Sequence, residues 1–182
     1  MIRLFLVLLG LAVTASAERP AEWAKPESAP HMENLHRVTP LIWRSAQPTA
    51  EGLREMEKRG VKTVINLRHN HDGVEEAAGT KLRLVRIAMN TWHIEDEDIA
   101  SALAALRKKG NGPFLLHCQH GADRTGIICA MFRMIEQGWS REEAIREMRD
   151  GGYGFHSAWK NIVRYLEKVD VEKMRKRVEK IR

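Results

Sequence analysis

Short runs of apolar and β-branched residues alternate with longer amphipathic stretches over most of the chain. The runs of strand length lie at residues 38–43, 61–67, 82–88 and 114–117. Between them, apolar positions recur at helical spacing, as in the stripe of Ile99, Ala102, Leu103 and Leu106. Because strands alternate with helices, the pattern predicts an α/β fold with a central, mostly parallel sheet flanked by helices.

Capping signals predict where the helices begin. The residues expected to precede helices are Thr49, Asp96 or Asp98, Ser140 and Ser157. Ser140 forms a capping box with Glu143, which strengthens that assignment. Residues 125–137 are largely apolar and predict a buried helix.

The N-terminus has the features of a secretory signal peptide. Arg3 gives a positive start, residues 4–13 are apolar, and Ala15-Ser16-Ala17 supplies the small residues of a cleavage site. The apolar run is much shorter than the roughly 20 residues that a membrane-spanning helix needs. We therefore expect cleavage after Ala17, a secreted or periplasmic protein, and no stable membrane span. Residues 18–33 are expected to form a proline-rich arm, and residues 34–182 a single domain.

The composition is that of an ordinary globular domain. The chain has 182 residues, of which 43% are hydrophobic and 30% are charged. A chain of this size can bury a core without metal ions or disulfides. The net charge is +6, and most of the excess falls in residues 160–182. For that segment we favour a solvated helix face, so no nucleic-acid partner is predicted.

The segment from His117 to Gly126 carries the clearest chemistry. It reads HCQHGADRTG, follows a predicted strand and continues into a predicted helix. A short loop at a helix N-terminus can point several backbone N–H groups at one spot, which suits a tetrahedral oxyanion. Gly121 can take a positive φ that curls the backbone around the anion. Arg124 can hold two phosphate oxygens at once, and the resulting positive field favours the thiolate form of Cys118.

The string H-C-x5-R-T-G resembles the signature of cysteine-based protein tyrosine and dual-specificity phosphatases. Residues 44–48 and 61–68 are also similar to small bacterial dual-specificity-like phosphatases and to the plant and fungal atypical group, which includes inositol pyrophosphate phosphatases. The likeness covers residues 35–167. It implies a protein tyrosine phosphatase-like fold and a phosphorylated protein or a small polyanionic phosphate, such as an inositol phosphate, as substrate.

The resemblance also implies a role for each residue of the loop. Cys118 would be the nucleophile that forms a cysteinyl-phosphate, and Arg124 would bind the phosphoryl oxygens and stabilise the transition state. Thr125 would help the thiolate to leave in the second step, and His117 would brace the loop. The remaining phosphate-binding residues would be Gln119, His120, Gly121, Ala122 and Asp123. No metal ion or other cofactor is implied, and the spacing of the histidines does not match a zinc motif.

The residue that protonates the leaving oxygen is left open by the sequence. Asn90 stands near the position where some dual-specificity enzymes carry their acid, and an amide cannot donate a proton in that way. Asp96 matches an aspartate of the plant and fungal group, although it can equally cap a helix. Asp123 occupies a position that is acidic in myotubularin and Sac-type lipid phosphatases. Asp98 and Asp72 are further candidates.

Several other interpretations stay open at this point. Cys118 could be an inert core cysteine, or it could belong to a sulfur-transferring rhodanese-type loop, although those loops usually lack the R-T-G ending. The domain could also bind phosphorylated ligands without turning them over; the uncertain acid favours this, and the Cys118 and Arg124 pair disfavours it. Cys129 could form a disulfide with Cys118 that blocks the nucleophile in an oxidising compartment.

Overall fold

A computed structural model of the chain describes residues 19–181. Within this range six strands form one sheet: β1 (Lys25–Pro26), β2 (His36–Thr39), β3 (Ile42–Ser45), β4 (Thr63–Arg68), β5 (Arg83–Met89) and β6 (Phe114–His117). The same range contains seven helices: α1 (Ala50–Lys58), α2 (Val74–Ala77), α3 (Asp96–Arg107), α4 (Asp123–Glu136), α5 (Arg141–Asp150), α6 (Lys160–Lys168) and α7 (Val171–Lys180). The signal peptide predicted over residues 1–17 lies outside the described residues.

The order of strands across the sheet is β1-β2-β3-β6-β4-β5. β3, β6, β4 and β5 are parallel to one another, whereas β1 and β2 add an antiparallel edge. All four residues of β6 are buried, which agrees with the continuous apolar run of Phe114, Leu115 and Leu116. The prediction of an α/β fold on a mostly parallel sheet is confirmed.

Alternate residues of the central strands face two separate apolar layers. Leu115 of β6 packs with Val64 and Trp43 in the layer that α1 and α2 cover. Leu116 belongs to the larger layer on the other side, which contains apolar residues of α3 to α7. Helix α4 is buried along most of its length, as the apolar residues 125–137 predict.

The weak strand predicted over residues 38–43 is a hairpin of two strands. The chain reverses at Pro40 and Leu41, and β3 returns antiparallel to β2. Proline has no backbone N–H to donate to a sheet, so a single strand through Pro40 is disfavoured.

Two helix starts also differ from the sequence prediction. The single helix predicted from Ser157 is divided into α6 and α7, because the carboxylate of Asp170 accepts the N–H of Lys173 at 2.9 Å and starts a new helix. α3 starts directly at Asp96 after an extended Glu95, so neither predicted aspartate is its N-cap. No helix within residues 19–181 is long and apolar enough to cross a membrane.

The N-terminal arm packs against the domain. Trp23 is buried, and the N–H of Ala24 donates to the carboxylate of Glu147 at 2.6 Å. That carboxylate also forms a buried ion pair with Arg133, at 2.7 Å. Burial by itself would raise the pKa of Glu147, but the hydrogen bonds and charge of Arg133 outweigh it and hold the pKa below its ordinary value. The ion pair therefore joins the arm to α4 and α5.

Candidate active site

Cys118 lies at the edge of the sheet where the carboxyl ends of the parallel strands meet. It follows β6 directly, and the last residue of β6 is in register with Ser45 of β3 and Asn66 of β4. Residues 118–122 then form a short loop that leads into α4. Cys118 is only 2% exposed, so its thiol does not lie on the open surface.

Groups outside this loop hold three of its carbonyl groups. The donors are Gln47 N to the carbonyl of Gln119 (3.0 Å), Asn34 Nδ2 to that of His120 (2.8 Å) and Arg44 Nη2 to that of Gly121 (2.7 Å). In a trans peptide the N–H points away from the carbonyl. The N–H groups of residues 120–122 therefore face the inside of the loop, and none of them has an acceptor among the described residues. Such a row of N–H groups is an anion-binding nest.

Gly121 lies where the loop passes closest to β3. Its φ is +69°, and a Cβ at this position would lie 2.5 Å from the carbonyl carbon and oxygen of Ser45. Glycine is thus required both for the backbone conformation and for the close approach. This approach brings the Gly121 carbonyl within reach of Arg44, the residue before Ser45.

The first turn of α4 adds the other groups predicted from the sequence. Arg124 is half-buried, and its Nη1 lies 3.4 Å from the carbonyl of Leu67 in β4. Thr125 is fully buried, and its hydroxyl has no hydrogen-bond partner among the described residues. The N-terminus of α4 carries a partial positive charge of its own. The loop is therefore bordered by several groups that favour an anion.

His117 braces the loop as a neutral ring. It is buried, and its Nδ1 donates to the carbonyl of Cys118 at 3.2 Å. Burial lowers the pKa of His117 to about 4. The imidazole is therefore uncharged at neutral pH, and it orients the backbone of Cys118 without adding a charge.

Two of the candidate acids make contacts away from the loop. Asp96 accepts a hydrogen bond from the hydroxyl of Tyr165 at 2.8 Å and lies 3.6 Å from Arg177. It lines a cavity with residues of α6 and α7, and no residue of the loop lines the described part of that cavity. Asp72 accepts the N–H of Val74 at 3.1 Å, at the start of α2.

Asp98 is in the first turn of α3, on the side of the sheet edge that carries Cys118. Partial burial raises the pKa of Asp98, and the nearby charges of Glu95 and Glu97 raise it further. His69 lowers the pKa of Asp98, which indicates that His69 lies in the neighbourhood of Asp98. Because His69 directly follows β4, this electrostatic influence indicates that Asp98 lies toward the carboxyl end of a strand adjacent to β6.

Asp123 is paired with His156, a histidine that the sequence did not single out. The carboxylate accepts the backbone N–H of His156 at 3.0 Å, and its Oδ2 lies 2.9 Å from His156 Nδ1. Asp123 is 7% exposed, whereas the side chain of His156 is 50% exposed. The pair connects the start of α4 to the segment between α5 and α6.

The two cysteines are both free thiols. Cys129 is buried in α4, and burial raises its pKa, which favours the protonated form. A regulatory disulfide between Cys118 and Cys129 stays a prediction.

Residues 21–177 match the family model described as "DSP-PTPase phosphatase fused to NAD+ Kinase". The chain belongs to this phosphatase family. The family predicted from the loop sequence is confirmed, and the protein is an enzyme of the dual-specificity phosphatase type.

Relatives of this phosphatase support the same assignment. Dual specificity protein phosphatase TpbA of Pseudomonas aeruginosa strain UCBPP-PA14 is 32% identical over 168 residues, which are 92% of this chain and 75% of TpbA. A crystal structure of a cysteine-to-serine variant of P. aeruginosa TpbA with phosphotyrosine has a TM-score of 0.79 at 29% identity, and the match covers 90% of this chain and 99% of that one. The catalytic domain of the PP-IP phosphatase Siw14 from S. cerevisiae shares the fold, with a TM-score of 0.71 at 24% identity over 84% of this chain and 95% of that one.

The sequence did not identify two residues that hold the loop of this phosphatase in place. Arg44 is 1% exposed, and its guanidinium lies 3.7 Å from the ring centre of Tyr153. A charged residue directly after the strand predicted over residues 38–43 was the available signal, because a buried arginine needs partners. Asn34 donates to the carbonyls of His120 and Tyr153, which are 86 and 119 residues away. No local pattern marks such a distant pair of contacts.

We predict that Gly121→Ala lowers kcat/KM for p-nitrophenyl phosphate by at least about 100-fold, because an error of about 1 Å in catalytic geometry costs that much. Gly79→Ala is the matched control, since Gly79 also has a positive φ, +79°, with nothing near its Cβ position. Both variants should keep the circular dichroism spectrum of the parent. Equal activity of Gly121→Ala and the parent would contradict the close approach to Ser45.

Proposed function

We propose that this phosphatase hydrolyses phosphomonoesters in two steps through a cysteinyl-phosphate on Cys118. The observation that carries the proposal is the position of Cys118 at the start of a loop with inward N–H groups and a following Arg124. The N–H groups, Arg124 and the helix dipole supply the positive charge that a phosphoryl group in transfer needs. The chemistry therefore requires no metal ion.

In the first step the thiolate of Cys118 attacks phosphorus. A P–S bond forms, the P–O bond to the leaving group breaks, and the leaving oxygen takes a proton from a carboxyl group. Arg124 and the loop N–H groups hold the three other phosphoryl oxygens.

In the second step a water molecule attacks phosphorus and gives a proton to the same carboxylate. The P–S bond breaks, inorganic phosphate is released, and the thiolate is restored. Thr125 can donate a hydrogen bond to the departing sulfur, because its buried hydroxyl has no other partner among the described residues.

For the carboxyl group that transfers these protons, we propose Asp98. Its raised pKa favours the protonated form that the first step requires, and it lies near the edge of the sheet that carries the loop. Asp96 already binds Tyr165 and Arg177, and Asp123 already binds His156. Both of those carboxylates are therefore already engaged with other side chains.

The proposed substrates are phosphotyrosine in proteins or inositol phosphates. Phosphotyrosine is supported by the complex of the TpbA variant, and inositol phosphates by the inositol diphosphatase DSP5 of Arabidopsis thaliana, which is 24% identical over 122 residues, 63% of this chain and 59% of that protein.

We predict that Cys118→Ser abolishes phosphate release while the protein stays folded, because a serine hydroxyl is a far weaker nucleophile at neutral pH. The assay compares parent and variant on p-nitrophenyl phosphate, phosphotyrosine and phosphoserine peptides, inositol polyphosphates and phosphoinositides, with EDTA present. The parent should release phosphate from at least one of them. Rapid acid quench should trap phosphate on a peptide that contains Cys118.

Three results would contradict this mechanism. They are phosphate release by Cys118→Ser at the parent rate, a loss of parent activity in EDTA that metal restores, and binding without turnover over the whole panel. Cys129→Ser is the matched control, because it removes the other buried thiol of the chain, and it should keep the parent activity.

We predict that Asp98→Asn lowers kcat for a phosphotyrosine peptide by about 100-fold or more, the typical contribution of a general acid. The loss should be smaller for p-nitrophenyl phosphate, whose leaving group needs less protonation. In the parent, kcat/KM should fall as pH rises through the raised pKa of Asp98, and the variant should lack that limb. If Asp98→Asn keeps the parent activity while Asp96→Asn or Asp123→Asn is inactive, the proposal for Asp98 is wrong. The general acid would then be the aspartate whose variant is inactive.

We also propose that the protein is exported and cleaved after Ala17. The proposal rests on the sequence of residues 1–17. We expect the secreted or periplasmic fraction of a bacterial expression host to contain a protein whose N-terminal sequence begins at Glu18. Retention of the intact chain in the cytoplasm or membrane fraction would contradict the signal peptide.

A further inference from the structure

Three metal-ligating side chains meet at the rim of the loop. His120 is in the loop, Asp123 is the first residue of α4, and His156 is between α5 and α6. One ligand atom of each lies within 4.8 Å of the ligand atoms of the other two. Both histidine residues are exposed, whereas Asp123 is buried.

The backbone positions of this cluster are fixed by contacts that do not use the metal-ligating nitrogens. Asn34 donates to the carbonyls of His120 and Tyr153, both at 2.8 Å, and so joins the loop to the segment that carries His156. The backbone N–H of His156 donates to Asp123 Oδ1 at 3.0 Å. Asp123 Oδ2 and the imidazole rings of His120 and His156 are therefore the groups that can turn toward one metal ion.

The spacing is close to what a tetrahedral metal ion needs. Zinc-to-ligand distances of about 2.0–2.2 Å imply ligand atoms roughly 3.3 Å apart. Asp123 Oδ2 and His156 Nδ1 are 2.9 Å apart. The ring of His120 has a centre 5.4 Å from that of His156, and it can close the remaining distance by rotation because it is exposed.

A hydrogen bond between Asp123 and His156 accounts for the positions of only two of the three side chains. The ring of His120 makes no hydrogen bond within the described chain, yet it lies edge-on beside His156. Two imidazoles and one carboxylate are a set that Zn²⁺ favours, whereas Mg²⁺ and Ca²⁺ favour oxygen ligands. Three protein ligands also leave one coordination position open.

We propose that His120, Asp123 and His156 bind a divalent transition-metal ion, with Zn²⁺ as the best match. The site is separate from the two-step reaction, which needs no metal. It lies at the loop that we propose to bind the phosphoryl group, and a metal ion held there would have two exposed imidazoles among its ligands. The sequence did not predict it, because His156 is 33 residues beyond Asp123 and the fold alone brings them together.

The test measures zinc binding directly, by calorimetric titration of metal-free protein. All proteins carry Cys118→Ser, so that the nucleophile cannot bind the metal. We expect one Zn²⁺ per chain, and a loss of affinity of at least about 10-fold in His120→Ala and in His156→Ala, since even indirect changes at metal sites cost 10–100-fold. Both side chains are exposed, so both variants should fold, which thermal unfolding checks.

His93→Ala is the matched control, because His93 is an exposed histidine beside an acidic residue, Glu95, outside the cluster. It should bind Zn²⁺ like the Cys118→Ser background. Co²⁺ substitution adds a second readout: a tetrahedral site gives visible absorption bands that both cluster variants should lose.

Three outcomes would overturn the site. They are unchanged affinity in His120→Ala and His156→Ala, an equal loss in His93→Ala, and no zinc binding by the protein that carries Cys118→Ser as its only substitution. None of these measurements depends on turnover, so the metal site and the proposed phosphatase mechanism can fail independently.

Discussion

The active site depends on hydrogen bonds that hold the carbonyl groups of its loop from outside. The inward N–H groups of residues 120–122 have no acceptor among the described residues. Burying such donors without a partner costs free energy and destabilises the fold. The loop keeps this arrangement because Arg44, Asn34 and the backbone N–H of Gln47 donate hydrogen bonds to the carbonyl groups of the same peptide units. The anion site is thus prepared before any phosphate enters, which is the condition for electrostatic stabilisation of a transition state.

The residues behind the loop add no unpartnered positive charge to it. His117 stays neutral, since burial lowers its pKa to about 4. Arg44 is charged, but its guanidinium lies over the ring of Tyr153 and binds a carbonyl, so its charge has partners. The buried pair of Arg133 and Glu147 holds the N-terminal arm on the domain, and that arm leads to Asn34.

The carboxyl groups near the loop face opposite demands. A carboxylate at the rim reduces the attraction for phosphate, yet hydrolysis needs a carboxyl group that can give and take a proton. The carboxylate of Asp123 contacts His156, so it is directed toward that ring and not toward the phosphate site. Asp98 is suited to the second, because burial and acidic neighbours favour its protonated form. The same contact between Asp123 and His156 also belongs to the arrangement that we propose as a metal site.

The sequence by itself determined the fold class, the family and the candidate residues of the loop. Cys118, Gly121 and Arg124 lie within one strand-loop-helix segment, so their spacing along the chain already describes their arrangement in space. The tertiary structure decided everything that joins distant segments. It turned Asp96 toward Tyr165, 69 residues away, and it brought His156 to Asp123 and Asn34 to the loop. Local patterns carry no record of such contacts, because they arise from how helices and loops pack on the sheet and not from periodicity or capping.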